Sequence, residues 1–484
     1  MATIKYIKSE IAKAYKTHDK NTALLELLWG DRVEVLSNTK KNGRYKVNAR
    51  WAENVYVDSD DLGDEALLEL YFIDVGQGDG VLMVTPDRKH VLIDGGYERG
   101  KQPHGKSAAD FVDWKFYKDY GQNTIDIDAM ICSHCDADHY GGLWDLLNKE
   151  ETYELDAKHV KVKDFYHAGV SWWKTDTNSR SLGLEKDGRM WDLLEGKTSV
   201  RDGLKSTSEL RLQGEWSKFL KCVLDSGASI TRLGHQKDGD FKYIPGFEKD
   251  NDTSIKILGP IEEKVVGKTT LKDLGSPSKN TNGNSILLRV DYGKSRILLT
   301  GDLNKKSQHH IIESLSGNLQ ELQADVVKSC HHGSDDCSVE FLQHVNAAAT
   351  VISSGDDETH AHPRPNIVAA HGITGFKKIH NDEMITPLIY STEISRSLKL
   401  GDPYKVNFED IELTDESEIK ISYKHTSSGA LNPTDKSKTM NRLKVVGGIV
   451  YGLVNVRTDG NKIVCATMNE GKSKWEVNKF YSRF

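Results

Sequence analysis

The chain has 484 residues, an apolar share of 37% and a formal net charge of −7. Its length exceeds one average domain and its apolar content supports a real core, while the acidic balance excludes a uniformly basic surface and leaves nucleic-acid binding only to a local basic face. The six cysteines, Cys132, Cys135, Cys222, Cys330, Cys337 and Cys465, show no disulfide framework, and three flank histidine- and aspartate-rich segments where oxidation would be damaging. A reducing, cytoplasmic setting is expected. The first residues lack the apolar core of a signal peptide. The longest apolar run, 445–456, contains three glycines and falls short of the roughly 20 residues of a membrane helix, so no membrane association is expected.

Residues 1–63 read as a separate small β module. Leu24 to Leu36 gives two short strands around Gly30-Asp31, Asn42-Gly43 is a hairpin signal, and Arg44–Val47 and Val55–Val57 close the set. The pattern resembles the bacterial SH3-like barrel, which implies a protein partner docked through this module. The acidic stretch 58–65 is expected to be the linker.

A second, larger unit is expected over 66–425. Two strands begin it, Leu68–Val75 and Val81–Val84, and a third leads to Ile93-Asp94-Gly95-Gly96. Gly76-Gln77-Gly78-Asp79-Gly80 is no dinucleotide fingerprint, because a strand rather than a helix follows it. Between 150 and 250 the chain turns polar, with Trp172, Trp173, Trp191 and Trp216 scattered through it and helical spacing over 185–194 and 206–224. This reads as a cap-like insertion over a site, its aromatics chiefly core anchors. Strands resume at 254–260, 285–291 and 295–300. A helix over 306–322, a strand over 324–330, a helix over 338–345 and a strand over 348–353 follow. Residues 426–484 are expected to form a C-terminal β extension; from Pro433 onwards ten Lys/Arg oppose four Asp/Glu.

The chemistry concentrates in Ser133-His134-Cys135-Asp136-Ala137-Asp138-His139-Tyr140-Gly141-Gly142. Imidazole nitrogens and carboxylate oxygens are ligands of borderline and hard divalent cations. Read as a loop, the segment lets His134, Asp136 and Asp138 converge with His139 turned to a neighbouring point, which suits two adjacent cations. Asp302, His331, His332 and His362 follow at the ends of later strands, where layered α/β folds place their chemistry. Lys328 is expected to meet a substrate anion as a point charge.

Phe72-Ile73-Asp74-Val75-Gly76-Gln77-Gly78-Asp79, Ile93 to Gly96, the Ser133–Gly142 motif, Leu299-Thr300-Gly301-Asp302, Asn284-Ser285, the Ala324–Ser334 segment and His362-Pro363 together resemble the metallo-β-lactamase superfamily, specifically its ComEC/Rec2-like branch of DNA-uptake and related hydrolase domains. The resemblance covers about residues 68–400. It implies an α/β, four-layer αββα fold with a dinuclear site of zinc or manganese. His134 and Asp136 would hold the first metal and Asp138 and His139 the second, with Asp302 bridging and His331 or His332 completing the set. It further implies catalytic roles for Asp138, Lys328, His332 and His362, and substrate contacts from Asn284 and Lys328. Two departures stand out. Asp136 occupies a position where many members have histidine, which hardens the site and favours manganese. The third-motif histidine has no clear counterpart, since neither His167 nor His235 follows a clear strand, so Asn284 or water would fill in.

The expected function is a metal-dependent phosphodiesterase, most specifically a nuclease, that attacks nucleic acid with a dinuclear-metal-activated hydroxide. Hydrolysis of a small phosphoester, cyclic nucleotide or lactone is the first alternative, and a non-catalytic partner-binding protein the second.

Overall fold

The computed structural model describes residues 3–101, 106–150, 152–354, 362–392, 452–469 and 474–484, together with the backbone of short strands between 399 and 447. The stretch 426–433, the start of the expected C-terminal extension, lies outside the described residues.

Leu68–Ile73 is buried at every position, which a strand can be only where both faces of its sheet are covered. Alternation then sends Leu68, Leu70 and Phe72 to one face and Tyr71 and Ile73 to the other, into two different core clusters. The strand lies in a nine-stranded sheet ordered Ser229–Arg232, His159–His167, Thr124–Cys132, His90–Gly95, Gly80–Val84, Leu68–Ile73, Leu453–Thr458, Lys462–Asn469, Lys474–Tyr481. A seven-stranded sheet faces it, running Lys242–Tyr243, Thr253–Gly259, Leu287–Tyr292, Ser295–Leu299, Val326–Lys328, Ala349–Ile352, Leu388–Ser391. Between the sheets Leu70, Phe72 and Ile131 meet Ile257, Leu288 and Ile297. On the outer face of the first sheet Leu82 and Leu92 pack with helical Val112, Leu143 and Phe219. On the outer face of the second, Leu298 and Val327 pack with helical Ile311, Phe341 and Ile367. The result is a mixed α/β fold in helix–sheet–sheet–helix layers.

Parallel pairing joins His90–Gly95 to Thr124–Cys132 and then to His159–His167, and Ser295–Leu299 to Val326–Lys328 and then to Ala349–Ile352. The carboxyl ends within each parallel run therefore lie together, and the loops after Cys132, Leu299 and Lys328 come to one site.

Several expected boundaries change. The region 150–250 is not an insertion throughout, because its ends supply His159–His167 and Ser229–Arg232 to the main sheet. The expected helix at 185–194 is a hairpin of Glu185–Lys186 and Arg189–Met190. Asp187-Gly188 takes positive φ at both residues, so its turn chemistry overrides the helical spacing. The long helix expected over 306–322 stops at Ser314, with a single tight turn at Leu319–Leu322 after it. The C-terminal segment is divided. Leu453–Thr458, Lys462–Asn469 and Lys474–Tyr481 belong to the main sheet, with Leu453–Thr458 paired directly to Leu68–Ile73. A second compact unit spans Arg396–Val450 and Glu470–Lys472. Its described part consists of three two-stranded pairs, Lys399–Gly401 with Val445–Gly447, Lys405–Phe408 with Ile411–Thr414, and Ile419–His425 with Thr434–Met440.

Residues 3–63 form a seven-stranded antiparallel sheet with its own core of Ile7, Val33, Val47, Val55 and Val57. The expected linker is no free tether, since Leu62–Gly63 pairs back onto Thr3–Ile7 and Leu67 packs with Leu28, Trp29, Val464 and Trp475. Buried charge reinforces that join. Arg457 is 1% exposed; its guanidinium meets Asp31 at 2.8 Å and donates to the Trp29 carbonyl at 2.6 Å. Arg50 meets the same carboxylate at 2.8 Å. Lys115 donates to the Tyr71 hydroxyl at 2.8 Å, and Tyr71 bonds to Glu69. Among the described residues no helix is long and apolar enough to cross a membrane.

Two outcomes follow from this join. Arg457→Met removes the cation that ties Asp31 to Leu453–Thr458 while Arg50 still pairs with that carboxylate, and loss of the charged hydrogen bonds should cost about 1.5–3 kcal/mol in urea unfolding; a loss under about 1 kcal/mol would show the join to be apolar only. Burial alone would raise the Asp31 carboxyl, yet Arg50, Arg457 and Lys115 bring it from 3.8 down to about 2. A depressed carboxylate stabilises above its unfolded pKa and loses that contribution as pH falls through its folded value. The stability difference between wild type and Asp31→Asn, about 2 kcal/mol from this term at pH 6, should shrink between pH 4 and pH 2, and a difference constant with pH would exclude this origin.

Candidate metal centre

The motif is not a loop throughout. Ser133 to Asp136 is loop, and Ala137–Leu147 is a helix with Asp136 at its N-cap position, so Asp138 and His139 project from the first helical turn. Gly141 and Gly142 make this placement feasible. A Cβ on Gly142 would run into the Gly95 carbonyl oxygen, and one on Gly141 into the backbone of Tyr97 and Glu98. The helix thus lies backbone to backbone against the turn that carries Asp94.

Four donors meet at Asp302, which is 2% exposed. Its Oδ2 lies 3.3 Å from His139 Nε2, 3.1 Å from His332 Nε2 and 3.8 Å from His331 Nε2, and its Oδ1 lies 3.6 Å from Lys328 Nζ. His134 lies against His139 with ring centroids 4.0 Å apart and planes tilted by 50°, and Asp138 Oδ2 is 3.7 Å from His332 Nε2. Among the described residues four groups have ligand atoms mutually within 4.8 Å: His134, His139 and Asp302; Asp138, His139 and His332; Asp79, Asp302 and His332; and Asp79, Asp94 and His139.

Each imidazole is oriented through its other nitrogen. His139 Nδ1 pairs with Asp94 Oδ2 at 2.9 Å and lies 3.2 Å from Ser133 Oγ. His134 Nδ1 lies 3.1 Å from Ser133 Oγ and 3.2 Å from Ser285 Oγ. His332 Nδ1 is 3.3 Å from both the Ser353 carbonyl and Asp79 Oδ1. The Nε2 atoms of His134, His139 and His332 are thereby turned inward, and all three are buried without a hydrogen bond. Buried polar atoms are rarely left so, and three on one centre fit divalent cations. The donor set, imidazole nitrogen with carboxylate oxygen, suits zinc or manganese.

The charges agree. Burial would raise Asp302, but His332, His139 and His331 hold it well below the usual carboxylate range. Burial would likewise raise Asp79, which Lys328 and His332 bring to about 2. Burial would lower His332, which Asp302 and Asp79 push up to about 10. The carboxylates thus hold protons on His139 and His332, and a cation would displace those protons. Burial and His139 lower His134 to about 3, which keeps its Nε2 lone pair available.

His331 and His332 adopt left-handed φ of 46° and 52°, a conformation that costs a non-glycine residue on the order of 1 kcal/mol and concentrates at functional sites. Gly301, with φ of 50°, faces Ser285 and Ser133, where a Cβ would come within 2.8 Å of Ser285 Cβ.

Most of the expected residues gather here, and three take other places. Lys328 is 2% exposed, paired with Asp79 and donating to the Gly301 carbonyl at 2.9 Å; it is an internal counterion, not a free arm for substrate. Asn284 turns away and donates to the Asn280 and Lys272 carbonyls. Asn282 and Thr281 stand in its stead, Thr281 donating to Asp136 Oδ2 at 2.9 Å and Asn282 bonding to His331 Nε2 at 3.2 Å. Asp136 lies 3.7 Å from His134 Nε2 at the edge of the cluster. His362 stands on the flank, its ring 5.8 Å from His331 and 6.5 Å from His332. His167 does end a well-formed strand, beside Cys132, because His159–His167 pairs in the main sheet. Asp79 and Asp94 carry no role in the sequence reading. Each sits at a glycine-rich strand end, where an aspartate reads as a turn residue.

Asp94→Asn keeps the shape but weakens the hold on His139. Divalent-metal affinity, read by titration against a chelating dye, should fall about 10–100-fold; unchanged affinity would remove Asp94 from the centre's support.

Residues 73–187 match the family described as the Metallo-beta-lactamase superfamily. The chain is 25% identical over 310 residues to ComE operon protein 3 of Bacillus subtilis (strain 168), covering 62% of this chain and 30% of that protein. It is 38% identical over 96 residues to Competence protein ComA of Neisseria gonorrhoeae, covering 19% of this chain and 14% of that protein. It thus spans less than a third of the length of either relative. A solved structure, a diphosphatase from the PhnP family, is similar at 14% identity over 62% of this chain and 93% of that one, with a TM-score of 0.26. The segment 73–187 that matches the Metallo-beta-lactamase superfamily carries Asp79, Asp94 and the His134–His139 donors.

Proposed function

We propose that the chain is a metal-dependent phosphodiesterase of the ComEC-like branch and that its substrate is nucleic acid. The observation that carries this reading is the inward convergence of three unsatisfied imidazole nitrogens on the Asp302 carboxylate. Divalent cations held there would supply an activated water and neutralise charge on a phosphoryl oxygen. His134, His139, His332, Asp138 and Asp302 would hold them, with Asp136 at the margin. The chain's own part is placement and proton traffic. Asp94, Ser133 and Ser285 fix the rings, Lys328 balances the buried Asp79 and Asp302 carboxylates, and Asp138, its side chain 15% exposed, accepts a proton from the attacking water. His362 stands on the flank, placed to hand a proton to the leaving oxygen.

The competence proteins among the relatives favour DNA over a small phosphoester. With manganese or zinc the protein should cleave single-stranded or plasmid DNA, a chelator should abolish cleavage, and Asp302→Ala should reduce it at least about a hundredfold. Turnover of a small diester with no polymer cut would select the small-molecule alternative. No hydrolysis of either under any metal would end the enzymatic reading.

A further inference from the structure

Beside the metal centre, a cavity of about 270 Å³ opens between the helix that bears Asp138 and the tryptophan-rich region. Its walls include Asp136, Tyr140, Trp172, Arg180, Gln213 and Glu215. The volume falls just short of the roughly 300–1,000 Å³ of drug-sized sites and suits one small planar group. The aromatic wall is built in advance. Tyr140 stacks on Phe219 with centroids 5.5 Å apart and planes 11° apart, and leans on Trp216 at 5.4 Å. The Gln213 amide N–H donates to the Trp172 carbonyl at 3.0 Å, which ties the two sides together. Asp136 and Trp172 both line the cavity, so it is continuous with the candidate metal ligands.

The charges of the walls differ in availability. Glu215 is ion-paired with Lys101. Arg180 has no carboxylate partner among the described residues; its guanidinium lies over the Trp172 ring at 3.9 Å and is exposed. A flat aromatic slot next to an unopposed guanidinium matches a ligand that joins a planar ring to an anion.

We propose that this cavity is a nucleobase subsite. It takes the base next to the scissile phosphodiester, stacked in the aromatic slot with its edge toward Gln213, while Arg180 meets the neighbouring phosphate. The assignment rests on the phosphodiesterase reading and gives that site its specificity. Base–aromatic stacking tolerates every base, so the subsite selects for nucleotides without selecting a sequence.

Two measurements on the full chain separate the subsite from the reaction. The first compares kcat/KM for thymidine 5′-(4-nitrophenyl) phosphate and for methyl 4-nitrophenyl phosphate, which lacks a base. Wild type should prefer the former by roughly tenfold or more, and Arg180→Ala should reduce that ratio several-fold. The second follows tryptophan fluorescence on addition of thymidine 5′-monophosphate or ribose 5-phosphate. Only the nucleotide should quench, and about tenfold more of it should be needed for Arg180→Ala. Equal turnover of the two diesters, or a preference indifferent to Arg180→Ala, overturns the subsite while leaving the phosphodiesterase intact. Failure to cleave either diester falls on the phosphodiesterase reading; quenching then decides the subsite alone, and quenching equal with ribose 5-phosphate overturns it.

Discussion

The Asp302 carboxylate is the constraint on which the rest of the centre depends. It is buried, shared among three histidines and a lysine, and delivered by a strand remote in sequence from the Ser133–Gly142 segment. A carboxylate in that position is costly unless positive charge surrounds it. Nearly every nearby feature supplies or steadies such charge: Lys328 behind it, His139 and His332 against it, and Ser285, whose hydroxyl accepts from the Asp302 amide at 3.2 Å. The left-handed turn at His331 and His332 belongs to the same constraint, since it brings both rings back toward Asp302 from the end of a three-residue strand.

The sandwich follows from simpler causes. Strands that read as continuous apolar runs must be covered on both sides, and parallel pairing places their carboxyl ends together. That much was legible: most strands of the second sheet, the helix after Ser338 and the recurrence of histidine and aspartate at strand ends are all apparent in the residues. What eluded the sequence has a common physical origin. Asp187-Gly188 and the end of the helix at Ser314 are matters of local turn and helix termination, which a periodicity of apolar residues does not carry. Asp79 and Asp94 were hidden because a strand-end aspartate beside glycine has the same appearance whether it caps a turn or orients a ligand. Lys328 and Asn284 were misread because alternation along a strand gives the face of a side chain but not its partner; the nearest strong acceptor, Asp79 for one and the Asn280 carbonyl for the other, settled the direction.

The N-terminal sheet has its own core, as its hairpin signals implied, yet its independence was overestimated. The acidic composition of 58–65 suggested a solvated tether. Residues 62–63 instead close the sheet, and Leu67 is drawn into an apolar cluster shared with the last strands of the chain. Composition reports what a segment tolerates from water and is silent on whether a neighbour seals it.

Two of the buried charge clusters differ in a way that separates support from chemistry. Around Arg457, the side chains of Asp31, Arg50, Glu69, Tyr71 and Lys115 find partners in one another, and the atoms left without a hydrogen bond, Arg457 Nε, Asn455 Nδ2 and the Tyr120 hydroxyl, include no imidazole or carboxylate. Around Asp302 the unsatisfied atoms are several, they belong to different elements, and they face one centre. A structural cluster lowers its free energy by closing on itself, as the first does. The second stays open at the positions where a cation and a substrate would complete it, and the strain held at His331 and His332 keeps it so. The same reasoning extends to Arg180. A guanidinium that folding leaves without a carboxylate partner among the described residues, set beside a carboxylate-rich centre and over an aromatic ring, stays available to a ligand that brings its own anion and its own plane.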